Sequence, residues 1–424
     1  MPFKIYPQKK LILDKVKNSI ASYSLRRLRQ GYFGPCIRIF RDDDGTEKDI
    51  GFIGNDLDTR SILAFLNHNL ISNPSMDTDS NGDGIVDGFS SWQGTGITPS
   101  FQLDATQRIN ILVSTSTQYA QVESGLISVT PGEKVTLEVT GRVSGNVKFY
   151  VAMNLFSAGE YADTYASDSY LYTSDTTIKL ESQVIPAGVT QVSFVCAIRP
   201  LVSGNTGSGW FKNAKLYCVS NSALISKWYD QSGNSNDLTQ NIGSNKPKIV
   251  DSSWILEKLN NKPTIRFVSA NSTYLNKTDI TINQPNMVNI VCNPVNTLSN
   301  QTFFDSPDVS NNNMLKISVG TPNKYNLFAG TSVEINGVDS NFNIFSAVFN
   351  GENSSFYKNG ALLGNNINLG TRVMHGICLG AGASLSEYLD GYISEVIIFN
   401  KSVSIGDKQK IELDQSKYFN ITLG

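Results

Sequence analysis

Stretches in which every second residue is apolar constrain this chain more than any other feature in it. Val135, Leu137 and Val139 fall on one face of an extended segment, as do Val147, Phe149, Val151, Met153 and Leu155, and later Val192, Phe194, Cys196 and Ile198. A period of two sends those side chains to one side of a strand and the intervening ones to the other. Pro131-Gly132, Ser144-Gly145 and Pro186-Ala187-Gly188 punctuate the strands, so an antiparallel β-sandwich is predicted here. Cys196 lies on the apolar side and is expected in the core.

At 424 residues the chain is longer than one typical domain, and two units of roughly 150 to 270 residues fit it better. Charged residues make up 17% and the net charge is −2, which does not suit a polyanion such as nucleic acid as the main partner. With 40% hydrophobic residues spread throughout, the chain is expected to fold. Cys36, Cys196, Cys218, Cys292 and Cys378 show no C-x-x-C spacing, so free buried thiols are expected rather than a zinc site or a disulfide framework. The basic start, Met1 to Lys10, is followed by no apolar core or cleavage site, so no secretory signal is expected. No apolar run reaches the length of a membrane span, and folding in a cytoplasm is expected.

Residues 1–20 read as an N-terminal arm and docking segment. From Leu13 the apolar positions Leu13, Val16, Ile20 and Tyr23 recur at three- and four-residue intervals, which predicts a short amphipathic helix ending near Arg26-Arg27-Leu28-Arg29. Those arginines would complement the negative end of its dipole. Cys36 to Arg41 alternates as a strand closed by a turn at Asp42-Asp43-Asp44-Gly45. Asp56 or Asp58 is placed to cap a helix through Ser61 to Leu66.

The texture changes at Asn69. Asp79, Asn81 and Asp83 place side-chain oxygens at alternate positions before Gly84, with the Ile85 carbonyl and Asp87 following. That is the spacing of a calcium loop, in which a hard cation takes six to eight oxygens. Ser90 stands where the usual bidentate Glu would be, so Asp77 or another oxygen would complete the shell. The expected metal ligands are therefore Asp77, Asp79, Asn81, Asp83, Ile85 and Asp87, and the expected ion is structural Ca2+.

A glycan site needs exposed aromatic rings for the C–H face of a sugar, beside planar polar side chains for its hydroxyls. Trp92, Tyr119, Tyr161, Tyr165 and Trp210 are the candidates, and the Tyr161 to Tyr172 stretch reads as the long loop best suited to binding.

Residues 69–220 as a whole resemble carbohydrate-binding modules that open with an Asn-rich strand and an acidic, Gly-rich turn before a Trp. The matching features are Leu70 to Pro74, the loop above, Trp92, Val129 to Thr136 and Trp210 to Tyr217. The resemblance implies a structural calcium and glycan binding on a sheet face or at loop tips. Outside this block, Ser22 to Leu28, Gly34 to Ile39, Trp228-Tyr229-Asp230-Gln231-Ser232-Gly233-Asn234, Lys262 to Phe267, Ser355 to Gly360 and Asp390 to Asn400 resemble two related groups. One is the catalytic domain of fungal-type arabinofuranosidase B. The other is the concanavalin-like, laminin-G-like jelly roll of bacteriophage virion proteins, in which a Leu-Ala-Phe helix runs almost directly into the Trp-Tyr-Asp stretch. Here Leu63-Ala64-Phe65 and Trp228 are separated by the whole calcium-loop block. The expected fold is thus all-β, a concanavalin-like jelly-roll sandwich built from residues 21–68 and 221–424 and interrupted at 69–220 by a second β-sandwich.

Glycosidases use two carboxyl groups flanking the scissile bond. Asp230, Asp305, Asp308, Glu352, Glu387, Asp390 and Glu395 are present, yet spacing singles out no pair, and Glu395 reads equally well as facing solvent. The neighbouring cysteines that the arabinofuranosidase group uses in its sugar pocket are missing, and His68 and His375 are the only histidines. The Asp230 stretch itself reads as structure, with turn formers after two large rings. The expectation is a non-enzymatic virion protein of a tailed bacteriophage, a fibre or decoration component exposed on the particle surface. It would bind host-surface polysaccharide, contact other virion proteins through its N-terminal segment and form a homotrimer. A glycoside hydrolase and a purely structural capsid or tail component are the alternatives.

Overall fold

The computed structural model describes residues 10–41, 45–66, 69–218, 222–251 and 255–424. The arm at residues 1–9, the three aspartates at 42–44, His68 and the side chain of Cys218 lie outside the described residues. The chain divides into two compact units, Met1–Leu66 with Ser222–Gly424, and Asn67–Asn221. Both are built of antiparallel strands, the first a jelly-roll-like unit, as the resemblance implies, and the second a β-sandwich, as the alternation predicts.

In the first unit the strands before and after the interruption are direct neighbours. Ile37–Arg41 pairs with Ala223–Trp228, with Arg41 opposite Ala223 and Ile37 opposite Trp228. Trp228 is fully buried against Tyr23, their ring centroids 5.8 Å apart. Asp230 then accepts hydrogen bonds from the backbone N–H groups of Ser22, Ser232 and Asn236 at 2.8 to 3.0 Å. Gln231 donates to the carbonyls of Ser24 and Arg26 and accepts from the Leu28 N–H. Two segments some 200 residues apart in sequence are stitched together without a free polar group on Asp230, so this stretch is a seam.

The N-terminal helix is far shorter than its periodicity predicts, one turn at Ile12–Lys15. Asn18 takes a positive φ of 69°, and Ala21–Ser24 is a strand beside Gly391–Phe399. The three- and four-residue spacing arose from a helical turn followed by a strand whose Ala21 and Tyr23 enter the core. The arginines after it do not sit at a helix end either, and although Arg29 is exposed, Arg26 is not. Arg26 is buried and ion-paired with Glu395 at 2.8 Å and with Asp414 at 2.7 Å. Glu395, far from facing solvent, is fully buried and also accepts from Ser24 and Gln415. Removing one partner of such a pair strands the other charge in the interior, at a cost of about 3 to 5 kcal/mol.

Asn343–Phe349 and Gly391–Phe399 are buried on both sides, their polar Ser346 and Glu395 included, because a helix covers the sheet's second face. This C-terminal helix, Ile405–Phe419, starts at the Ser404 cap and buries Ile411 with Met287, Ile397 and Phe399, and Phe419 with Val291 and Ile344. The Asp58 carboxylate accepts from the Ser61 N–H and hydroxyl, and so caps the helix Thr59–Leu66. Cys36, Cys196, Cys292 and Cys378 are free and buried. Among the described residues no helix is long and apolar enough to cross a membrane.

The inserted unit packs two sheets. The front sheet runs in the order Glu160–Ala166, Val147–Ser157, Gln191–Pro200, Ala120–Ser124 and Phe89–Gln93, with Ile127–Ser128 pairing on one strand. The back sheet runs Thr176–Val184, Lys134–Gly145, Gly207–Cys218, Gln107–Ser114 and Ile97–Leu103. Between them lie Phe149, Val151, Phe194, Cys196, Val139 and Phe211. The opening segment Leu70 to Pro74 is not the strand its resemblance implies: it meets the sheet through two backbone hydrogen bonds, from the Leu70 N–H to the Leu216 carbonyl and from the Ala214 N–H to the Pro74 carbonyl.

Candidate functional site

The outward residues of the front sheet form one continuous surface. Since Val147, Phe149, Val151, Met153 and Leu155 point inward, Lys148, Tyr150, Ala152 and Asn154 point outward. Strand register places Tyr150 opposite Ala197, Ala152 opposite Val195 and Asn154 opposite Ser193, then Ala197 opposite Gln121 and Val195 opposite Glu123. Trp92 completes the row beside Gln121.

Three rings gather on this surface. Trp92, 46% exposed, lies 5.0 Å from Tyr119 between centroids, and Tyr119 meets Tyr150 edge to face at 5.6 Å. Beneath them the floor is made of the small buried side chains Ala152, Val195 and Ala197. Small residues under large rings hold the rings up at the surface, where one face can meet a ligand.

Beside the rings sits a polar network. The Glu123 carboxylate accepts from Asn154 Nδ2 at 2.7 Å, from Gln121 Nε2 at 2.9 Å and from the Ser193 hydroxyl. The Asn154 amide oxygen accepts from Thr164 Oγ1 at 2.6 Å, and that hydroxyl pairs with Tyr161 Oη at 2.9 Å. No cation pairs with Glu123 among the described residues, so neutral donors alone hold its charge in place. Six side chains, Glu123, Asn154, Gln121, Ser193, Thr164 and Tyr161, are thus fixed in orientation in an acceptor-rich patch, the arrangement that recognises hydroxyl donors.

The structure therefore brings Trp92 and Tyr119 together and puts Tyr161 at the far end of the same face. Tyr165 is a correction: it packs against the core and donates its hydroxyl to the Val184 carbonyl. Trp210 is another. It stands in the back sheet with the Arg108 and Arg142 guanidinium groups each 4.9 Å from its ring, so its faces are already used. The stretch from Tyr161 is also less of a loop than its composition predicts, because Glu160–Ala166 is an edge strand and Tyr170 and Tyr172 stack on each other beside Phe149. No local sequence signal singles out Tyr150, Gln121, Glu123, Asn154 or Ser193 as site residues. The outward parity of Tyr150 and Asn154 was available from the alternation, whereas the register joining them to Glu123 was not.

In the acidic loop, Asp79 accepts from the N–H groups of Gly82 and Gly84 at 2.8 and 2.9 Å, Asn81 from Asp83, and Asp83 from Ile85. Asp87 accepts from the Ser80 N–H and hydroxyl, and Asp77 from the Thr78 hydroxyl. Gly84 is required where it stands: φ is 81°, and a Cβ would come within 2.4 Å of the Phe101 carbonyl oxygen. The donors are all oxygen, as Ca2+ requires. Among the described residues no three His, Cys, Asp or Glu side chains converge on one point.

The carboxylates of the first unit are mostly tied. Asp390 pairs with Arg266, Glu387 with Lys316, and Asp308 with the exposed His375. Asp305 differs. It is buried, accepts from the Ser306 and Ala383 N–H groups and from Asn312, and desolvation pushes its carboxyl up to about 7.

No protein family matches the sequence, and no curated protein does. Among solved structures, a GH54 α-L-arabinofuranosidase soaked with a cyclic sulfate inhibitor aligns over 95% of this chain and 63% of its own, at 10% identity and a TM-score of 0.46. The chain thus spans less than two thirds of that enzyme. A CBM61 module in complex with β-1,4-galactotriose aligns over 36% of this chain and 99% of its own, at 8% identity and a TM-score of 0.25. The enzymatically active domain of tailspike protein 4 from bacteriophage CBA120 aligns over 37% of this chain and 23% of its own, at 16% identity and a TM-score of 0.26.

Proposed function

We propose that this chain is a non-enzymatic glycan-binding protein and that the front face of its inserted sandwich is the binding surface. The observation that carries the proposal is the juxtaposition of Trp92, Tyr119 and Tyr150 with the Glu123 network. A sugar ring would lay its C–H face on the aromatic patch while its hydroxyls donate to Glu123 and Gln121. Because the network is already ordered, little side-chain entropy is lost on binding. The finer assignment rests on the sequence resemblance of the jelly-roll unit: a fibre or decoration component of a tailed-bacteriophage particle, a homotrimer, presenting this face to host-surface polysaccharide. Structural Ca2+ in the Asp79 to Asp87 loop would brace the strand that carries Trp92, which begins at Phe89. Glycan-array and host-cell binding by the full chain with calcium present tests the proposal. Saturable binding to a defined glycan is expected; no binding to any glycan or cell surface overturns it.

Asp305 favours a second reading, a glycoside hydrolase, because a carboxyl held protonated near neutral pH is what a general acid needs. Under that reading Asp305→Asn abolishes turnover of an arabinose-containing polysaccharide. Under the leading one there is no turnover to lose, and the substitution acts on stability alone. With its native pKa raised above the unfolded value, Asp305 makes the fold lose stability as pH rises from about 4 through about 7. Asp305→Asn should flatten that fall in a pH series of melting curves.

A further inference from the structure

The front face does not end at the aromatic patch. One residue pair further along, beyond Tyr150 and Ala197, Lys148 stands directly opposite Arg199 on the neighbouring strand. Both share the outward parity of Tyr150, and neither has an ion-pair partner among the described residues. The buried Arg199 Nε has no hydrogen-bond acceptor. Like charges directly opposite each other on paired strands destabilise a sheet, and a guanidinium N–H shut away from water without an acceptor adds to the cost. The arginine is close enough to the rings for its charge to oppose the upward push that burial gives the Tyr150 phenol. Successive outward residues on one strand are roughly 7 Å apart, so the cationic pair lies within reach of a substituent carried by a sugar stacked on the patch.

Resting on the front-face reading, we propose that the ligand is an acidic glycan, a polysaccharide bearing carboxylates. One carboxylate is held by Arg199 and Lys148 while its ring or the next one lies on Trp92, Tyr119 and Tyr150. The guanidinium fork suits a planar carboxylate, and the bound anion supplies the missing countercharge. At the opposite end of the face the Glu123 carboxylate repels a second anionic group and accepts hydroxyls. The surface is therefore polar along its length, and a bound chain would lie in one direction.

The test uses the full chain and oligosaccharides of polygalacturonate, alginate and hyaluronan, each beside its carboxyl-reduced neutral form at one ionic strength. At least one acid form should bind, with its reduced form about tenfold weaker. Arg199→Gln and Lys148→Gln should each cost about tenfold on the acid form, leave the reduced form unchanged, and melt no lower than the unaltered protein. Equal binding of acid and reduced forms, or a preference that survives both substitutions, overturns the proposal and leaves the front-face reading standing. Binding to none of the acid forms overturns it too. A glycan array then shows whether neutral glycans still bind and keep the front face as the site.

Discussion

The two outer faces of the inserted sandwich carry the same kinds of residue and put them to different use. On the back sheet Trp210 lies between two arginines in the row Arg108, Trp210, Arg142, and the charges around it are matched: Arg142 and Lys212 with Asp175, Lys215 and Lys179 with Glu138. A groove of about 740 Å3 on this side, lined in part by Glu138, Lys215 and Tyr217, offers groups that already have partners. On the front sheet, among the described residues, Trp92, Tyr119 and Tyr150 touch only one another among rings, Glu123 has no cation, and Lys148 and Arg199 have no anion. A residue type near a tryptophan therefore says little until its own partners are counted; the face whose charges lack ion-pair partners is the one left to pair with a ligand.

Substitutions can sharpen or break this contrast. The largest effect is expected at the back, where Trp210→Ala removes a half-buried ring and its two cation–π contacts. It should lower stability by about 2 to 3 kcal/mol in a denaturant titration while leaving glycan affinity within twofold. A loss of affinity equal to that of a front-face substitution would erase the distinction between the faces. Next comes calcium. Chelation should lower the melting temperature of the inserted unit by several degrees, and Asp83→Ala should do the same without chelator; identical melting curves with and without chelator would remove the ion from the account. Glu123→Gln keeps the shape of the network and removes its charge. It should weaken binding about tenfold with little change in melting, as read by isothermal titration calorimetry. The smallest effect belongs to Tyr161→Phe at the rim of the face, at most about threefold in the same titration.

What the sequence shows of this molecule follows from what is local. Period-two alternation is a property of neighbouring residues, so the strands at Val147–Ser157 and Gln191–Pro200 and their core-facing sides were legible. Register is not local, and the meeting of Glu123 with Asn154 and Ser193 depends on it. The Arg26–Glu395 pair joins residues 369 apart, and nothing near either one announces the other. The C-terminal helix left no apolar stripe because its buried side includes Lys408, Glu412 and Gln415 as well as Ile411 and Phe419. Lys408 and Glu412 pair with each other at 2.8 Å, and Gln415 donates to Asn289 and Glu395, so a polar face docks onto the sheet through hydrogen bonds rather than by apolar burial alone. Near the N-terminus the reverse error arose, since one helical turn and a following strand mimicked a single amphipathic helix.

The central claim, that the front face is the binding surface, is tested most directly by Trp92→Ala. Its affinity for the glycan that the unaltered protein binds best should be measured by calorimetry beside Trp210→Ala. The account predicts a loss of about a hundredfold for Trp92→Ala with unchanged melting, and full affinity for Trp210→Ala. Unchanged affinity in a folded Trp92→Ala protein would contradict it.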